Sequence, residues 1–204
     1  MFDAIADYVA QRRREFKSID VSRRAGLNEL SQYIRQRRLD GKAVRLIFVC
    51  THNSRRSHIA HEWAAVAAAV YGLDVATFSG GTEATAFNPR AVAAMERAGF
   101  RIEKTSASGN PTYVVRFNEK QPGIRCFSQK FDAAPNPQED FAAVMVCGEA
   151  DAACPAVPGA RARFSIPFVD PKVSDGTPQE AATYDERCAQ IAREMLYVMS
   201  RVAG

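Results

Sequence analysis

Val44-Arg45-Leu46-Ile47-Phe48-Val49-Cys50 is a near-continuous apolar run of strand length, and it gives way at once to the polar loop Thr51-His52-Asn53-Ser54-Arg55-Arg56-Ser57. A strand apolar on both faces belongs inside a parallel sheet, where helices cover both sides. The loop leads into HIAHEWAAVAAAVYG (58–72), an Ala-rich helix closed by Gly72. This strand, loop and helix unit recurs. A strand at 75–79 precedes a helix with Asn88 as N-cap, Pro89 at its first position and Gly99 just past its end. FAAVMVC (141–147) is a third buried strand and ARFSIPF (162–168) a shorter fourth. Thr177-Pro178-Gln179-Glu180 reads as a capping box opening a last helix, whose apolar stripe runs Tyr184, Cys188, Ile191, Met195, Met199 and Val202. Such alternation implies an α/β fold with a parallel sheet flanked by helices and a ligand site beyond the C-terminal ends of the strands.

Outward from this body (41–204), residues 1–40 form a helical N-terminal extension. Phe2, Ile5, Ala6 and Val9 share one stripe, and Leu27, Leu30 and Ile34 another. The body is expected to hold a complete core without them, so the extension is expected on its outer surface or against a second subunit, making a dimer possible. Between about 111 and 137, the β-rich runs TYVVRFN and GIRCFSQ flank residues 119–122 and read as an inserted β-hairpin.

The 204 residues are 47% hydrophobic and 25% charged, which excludes disordered, collagenous and coiled-coil classes. No apolar run is long enough to cross a bilayer, and the first residues lack the pattern of a signal peptide, so a cytoplasmic protein without a membrane partner is expected. Five cysteines, an odd number scattered through the chain, suit a reducing compartment. The net charge is +4, with nine Arg/Lys against six Asp/Glu in residues 1–40. No aromatic residues interleave with the basic clusters, which argues against a nucleic-acid partner.

The loop after the first strand carries the chemistry. Residues curling between a strand and a helix can aim their backbone N–H groups inward as an anion nest at the positive end of the helix dipole. Thr51, His52, Asn53, Ser54 and Arg55 are placed to supply those amides. Arg56 can clamp a tetrahedral oxyanion with parallel donors, Ser57 can donate its hydroxyl to the Cys50 sulfur, and Asn53 suits side-chain bonds that hold the loop. Together they favour Cys50 as a thiolate nucleophile.

VCTHNSRRS, FSGGTEATAFNPRAVAAMERAG, VCGEADAACP and FVDPKVSDGT resemble the low-molecular-weight protein tyrosine phosphatase superfamily, in particular its thioredoxin-coupled arsenate reductases, across residues 43–203. The resemblance implies a four-stranded parallel sheet, Cys50 as nucleophile, Arg56 and the loop amides as oxyanion site, and Asp170 as general acid. Independently, Asp170 follows the fourth strand, whose end brings it over the same loop, and Pro171 favours extended backbone before it. Cys147 and Cys154, with six residues between them and a trailing Pro155, are similar to the reductase relay, which passes oxidation to thioredoxin or another dithiol. A helical 147–154 would hold the two Cα atoms ~10 Å apart, beyond the ~7 Å a disulfide spans, so oxidation would have to unwind it.

The implied activity is arsenate reduction. The alternative is hydrolysis of phosphotyrosine or another phosphomonoester by Cys50, Arg56 and Asp170. Lys172 and Val173 stand where phosphotyrosine enzymes commonly carry tyrosines, which weighs against that substrate. Relatives commonly have glycine where His52 stands, which puts the expected positive φ at this histidine. Reductases often hold potassium through a glutamate where His61 stands, with Glu62 only adjacent here, so no metal and no cofactor are expected. His58 and His61 are read as solvated or capping, Cys188 as core, and Cys126 has no partner that sequence identifies.

Overall fold

A computed structural model describes residues 1–153 and 156–204. In chain order its elements are α1 (Asp3–Arg14), α2 (Val21–Leu39), β1 (Arg45–Cys50), α3 (Arg56–Val70), β2 (Ala76–Gly81), α4 (Pro89–Arg97), β3 (Arg101–Lys104), β4 (Tyr113–Arg116), β5 (Ile124–Cys126), β6 (Phe141–Met145), α5 (Gly148–Ala153), β7 (Ala160–Ser165) and α6 (Glu180–Ala203). The four strands read from the sequence form one parallel sheet in the order β2-β1-β6-β7. Leu46, Ile47, Phe48 and Val49 of β1 are fully buried, as expected of a strand covered on both faces. Chain order reverses between β1 and β6, so the crevice beyond their C-terminal ends is a topological switch point.

α3 returns across the sheet and packs against β1, β2 and α6. Enclosed on every side, it buries polar as well as apolar residues. His58 is 0% and His61 6% exposed, which corrects their reading as solvated or capping positions. α4 opens as expected, with the Asn88 side chain accepting from the Arg90 N–H at 2.9 Å and Pro89 at its first position. The capping box at Thr177 does not close. Gly176, at φ 76°, turns the chain so that its own N–H reaches the Glu180 carboxylate at 2.6 Å, and α6 starts only at Glu180.

The hairpin read between 111 and 137 is present as β4 and β5. A further strand, β3, completes a three-stranded antiparallel sheet with them. The extension forms two helices, and its stripes bury inward rather than on a finished surface. Ile5, Val9, Leu27, Leu30 and Ile34 join the same contiguous apolar cluster as the sheet residues. α1 and α2 both pack on α6; Ser31 Oγ reaches the Val198 carbonyl at 3.1 Å, and Arg23 pairs with the buried Glu194 at 2.8 Å.

Candidate active site

β1 ends at Cys50, and the segment after β2 takes up the carbonyls of the loop that follows. Thr82 N–H donates to Cys50 O, Glu83 N–H to Thr51 O, Asn88 N–H to Ser54 O, and the Thr85 and Ser128 hydroxyls to His52 O. With its carbonyls bound outward, the loop turns its amides inward. Among the described residues, the backbone N–H groups of His52, Asn53, Ser54, Arg55, Arg56 and Ser57 have no hydrogen-bond acceptor. They converge at the start of α3, where the helix dipole adds positive potential. Gly81 lets the loop lie this close to β2, since a Cβ there would stand 2.7 Å from both Asn53 N and Thr51 O.

The Cys50 sulfur is 3.1 Å from Ser57 Oγ. Because Ser57 Oγ already accepts from Asn53 Nδ2 at 2.9 Å, its proton is free to point at the sulfur. Asn53 Oδ1 accepts from the Gln129 N–H at 2.8 Å, and Asn53 carries φ 44°. The left-handed residue is therefore Asn53 and not His52; an asparagine tolerates that region because its short side chain bonds locally. The His52 side chain is half exposed, 3.6 Å from Glu83.

Arg56 is buried at the first position of α3. Nη1 donates to the Phe168 carbonyl at 2.9 Å and Nη2 to Asp170 Oδ2 at 2.6 Å, which leaves Nε buried without a partner. Asp170 has φ −71° and ψ 122°, the extended backbone that a following proline favours, and its other oxygen caps Lys172 N–H. Arg55 points elsewhere. Its Nε donates to Tyr184 OH at 2.7 Å and its Nη2 lies 3.2 Å from Asp175, so its side chain ties the loop to α6 and only its amide faces the nest. Ser54 Oγ donates to Ala86 O.

Across the switch point Cys147 lies just past β6, its sulfur 3.3 Å from Thr51 Oγ1. Burial pushes this thiol up. Hydrogen bonds from the Thr51 hydroxyl and the Ala150 and Thr51 backbone, with the Arg56 charge, outweigh that and hold it below the usual thiol range. α5 begins directly after it; Cys154 lies outside the described residues. Cys188 takes the Trp63 indole N–H at 3.2 Å in the core, and burial pushes its thiol up to about 11. Sequence reasoning missed Ser128, Gln129, Asp175 and Tyr184 as supports of the loop. Of the supports outside the loop itself, only Gly81, in the Ser79-Gly80-Gly81 run, carried a local signal.

A family model described as low molecular weight phosphotyrosine protein phosphatase matches residues 45–115. An arsenate reductase of Halalkalibacterium halodurans is 32% identical over 135 residues, 66% of this chain and 79% of that protein. One of Bacillus licheniformis is 31% identical over 143 residues, 70% of this chain and 84% of its own length. A low-molecular-weight protein tyrosine phosphatase of T. tengcongensis superposes with a TM-score of 0.51 at 15% identity over 78% of this chain and 97% of its own, a likeness of fold.

Proposed function

From the premise that this chain belongs to the low-molecular-weight phosphotyrosine protein phosphatase family, and is an enzyme of that family, we propose that it reduces arsenate to arsenite. The observation that carries this reading is the second thiol, Cys147, placed beside the anion loop 3.3 Å from Thr51 Oγ1 and held below the usual thiol range. Hydrolysis has no use for a second thiol there, because water completes that reaction. Reduction requires one.

In the proposed sequence arsenate sits among the loop amides and Arg56. The Cys50 thiolate attacks arsenic while Asp170 delivers the proton that lets an arsenate oxygen leave as water, giving a thiol-linked arsenate ester. Cys147 attacks the Cys50 sulfur; the S–As bond breaks, arsenic keeps the electron pair, and arsenite departs from a Cys50–Cys147 disulfide. Cys154 then attacks Cys147, frees Cys50, and presents a Cys147–Cys154 disulfide to thioredoxin or a similar dithiol. Such a donor fits a reducing cytoplasm.

The test compares the full chain with Cys154→Ser, following arsenite and disulfides by mass spectrometry in the presence of reduced thioredoxin. The variant is expected to release about one arsenite per chain and stop with Cys50 joined to Cys147, while Cys50→Ser releases none. Continued turnover by Cys154→Ser would remove the relay. A wild-type chain that hydrolyses an aryl phosphate and yields no arsenite would make the enzyme a phosphomonoesterase.

A further inference from the structure

His61 and Glu62 of α3 and Cys126 form the one group of metal-ligating side chains found among the described residues. Their ligand atoms all lie within 4.8 Å of one another. The three come from two distant parts of the sequence: the adjacent His61 and Glu62 from α3, and Cys126 from the end of β5. All are buried, at 6%, 0% and 3% exposure. Cys126 Sγ donates to Glu62 Oε1 at 2.9 Å, and His61 Nδ1 stands 3.9 Å from the same oxygen. That leaves two polar atoms, His61 Nδ1 and Glu62 Oε2, buried with no hydrogen-bond partner. A buried polar atom left without a partner is destabilising, so two of them side by side in a well-packed core call for a ligand.

We propose that His61, Glu62 and Cys126 bind a single zinc-type divalent ion, which ties the β3–β5 sheet to α3. A tetrahedral zinc with bonds of about 2.0–2.3 Å sets its ligand atoms roughly 3.3–3.7 Å apart, so the observed 2.9 and 3.9 Å, and a third separation within 4.8 Å, need shifts of no more than about 1.5 Å. A sulfur, an imidazole nitrogen and a carboxylate oxygen together select zinc, cobalt or a similar borderline ion over potassium, magnesium or calcium. The His61 ring already bonds the Thr77 backbone, the outer contact that fixes a ligating imidazole. Cys126 and Glu62 hold the ion as thiolate and carboxylate and His61 as a neutral imidazole, and any protons the three carry beforehand pass to solvent as the ion enters. A surface cleft lined by His61, Ala65, Phe117, Gln121 and Ile124 gives an approach to the site. The site is separate from the oxyanion loop, and the inference does not depend on arsenate reduction.

The reduced full chain, stripped with chelator, is loaded with Co²⁺ and passed through gel filtration. It should retain about one ion per chain, with a thiolate-to-cobalt charge-transfer band and tetrahedral visible bands, and Zn²⁺ should displace the cobalt. Cys50→Ser and Cys147→Ser should keep the ion and the band. Cys126→Ser should lose the band, and the near-isosteric Glu62→Gln should weaken binding at least about tenfold. Zn²⁺ should raise the wild-type melting temperature and leave that of Glu62→Gln nearly unmoved. A wild-type chain that retains no stoichiometric cobalt overturns the proposal, whether or not the variants fold. So does a thiolate band that vanishes in Cys50→Ser or Cys147→Ser and survives in Cys126→Ser.

Discussion

Asn53 holds the oxyanion loop by two means at once, a backbone at φ 44° and side-chain bonds to Ser57 Oγ and the Gln129 N–H. The two can be separated. Asn53→Gly keeps the left-handed backbone and loses the bonds; Asn53→Ala loses the bonds and adds the steric cost of a Cβ at positive φ, about 1–2 kcal/mol. Part of that cost is offset by the glycine's greater freedom in the unfolded chain. The expected order of stability in urea is Asn, then Gly, then Ala, with Ala about 1 kcal/mol below Gly. Both variants should lose at least about tenfold in turnover, because the Ser57 hydroxyl is no longer oriented toward Cys50. Equal midpoints for Gly and Ala would mean that the backbone relaxes at this position and that the strain argument fails.

Enclosure of α3 has its own consequence at the scale of an element. His58 is stacked on Phe87 with ring centroids 4.0 Å apart, and its Nδ1 lies 3.3 Å from Ser79 Oγ. Burial, helped by the nearby His61, lowers its pKa to about 3. The folded chain thus keeps His58 neutral down to about pH 3, whereas the unfolded chain takes a proton near pH 6.5. Protons bind the unfolded state preferentially across this window, so stability falls as pH drops from about 6.5 toward 3, at up to about 1.4 kcal/mol per pH unit. His58→Gln is expected to flatten the fall of the urea midpoint between pH 6.5 and 4 relative to wild type. Parallel curves for the two proteins would show that His58 titrates in the folded state much as it does in the unfolded chain.

At the scale of the molecule, the extension and the α/β body share one core. Beyond the α6 contacts, the Phe2 N–H donates to Phe117 O at 2.9 Å, and a Cβ on Gly99 would lie 2.9 Å from Ala4 Cβ. Burying an aliphatic side chain contributes about 1.5–3 kcal/mol. Five of them on α1 and α2 therefore compare with the entire net stability of a typical domain, about 5–15 kcal/mol. A chain lacking residues 1–40 should lose cooperative unfolding and near-UV ellipticity and aggregate on size exclusion, since the face of α6 that carries Glu194 and Val198 would be uncovered. A soluble truncation with a sharp unfolding transition and wild-type turnover would establish instead that the body completes its own core.

Local chemistry made much of the molecule legible in advance. The apolar run at 44–50 could only be a doubly covered strand, Asn88-Pro89 could only start a helix, and Asp170 before Pro171 was bound to be extended; these depend on period, capping and sterics within a few residues. Spacing alone did not name a site: Cys50 and Arg56 stood out through the strand, loop and helix around them, and the Cys147–Cys154 relay was an expectation drawn from the family resemblance. Tertiary structure alone decided the rest. It turned the Arg55 side chain away toward Tyr184, anchored the loop on Ser128 and Gln129, moved the positive φ from His52 to Asn53, added β3 to the hairpin and buried the extension against α6. It also brought Cys126 to His61 and Glu62, some sixty positions earlier in the chain. Such pairings join elements that carry no mutual signal, because a residue's burial and partners are set by which surfaces meet once the sheet has formed, and no window of sequence contains both surfaces.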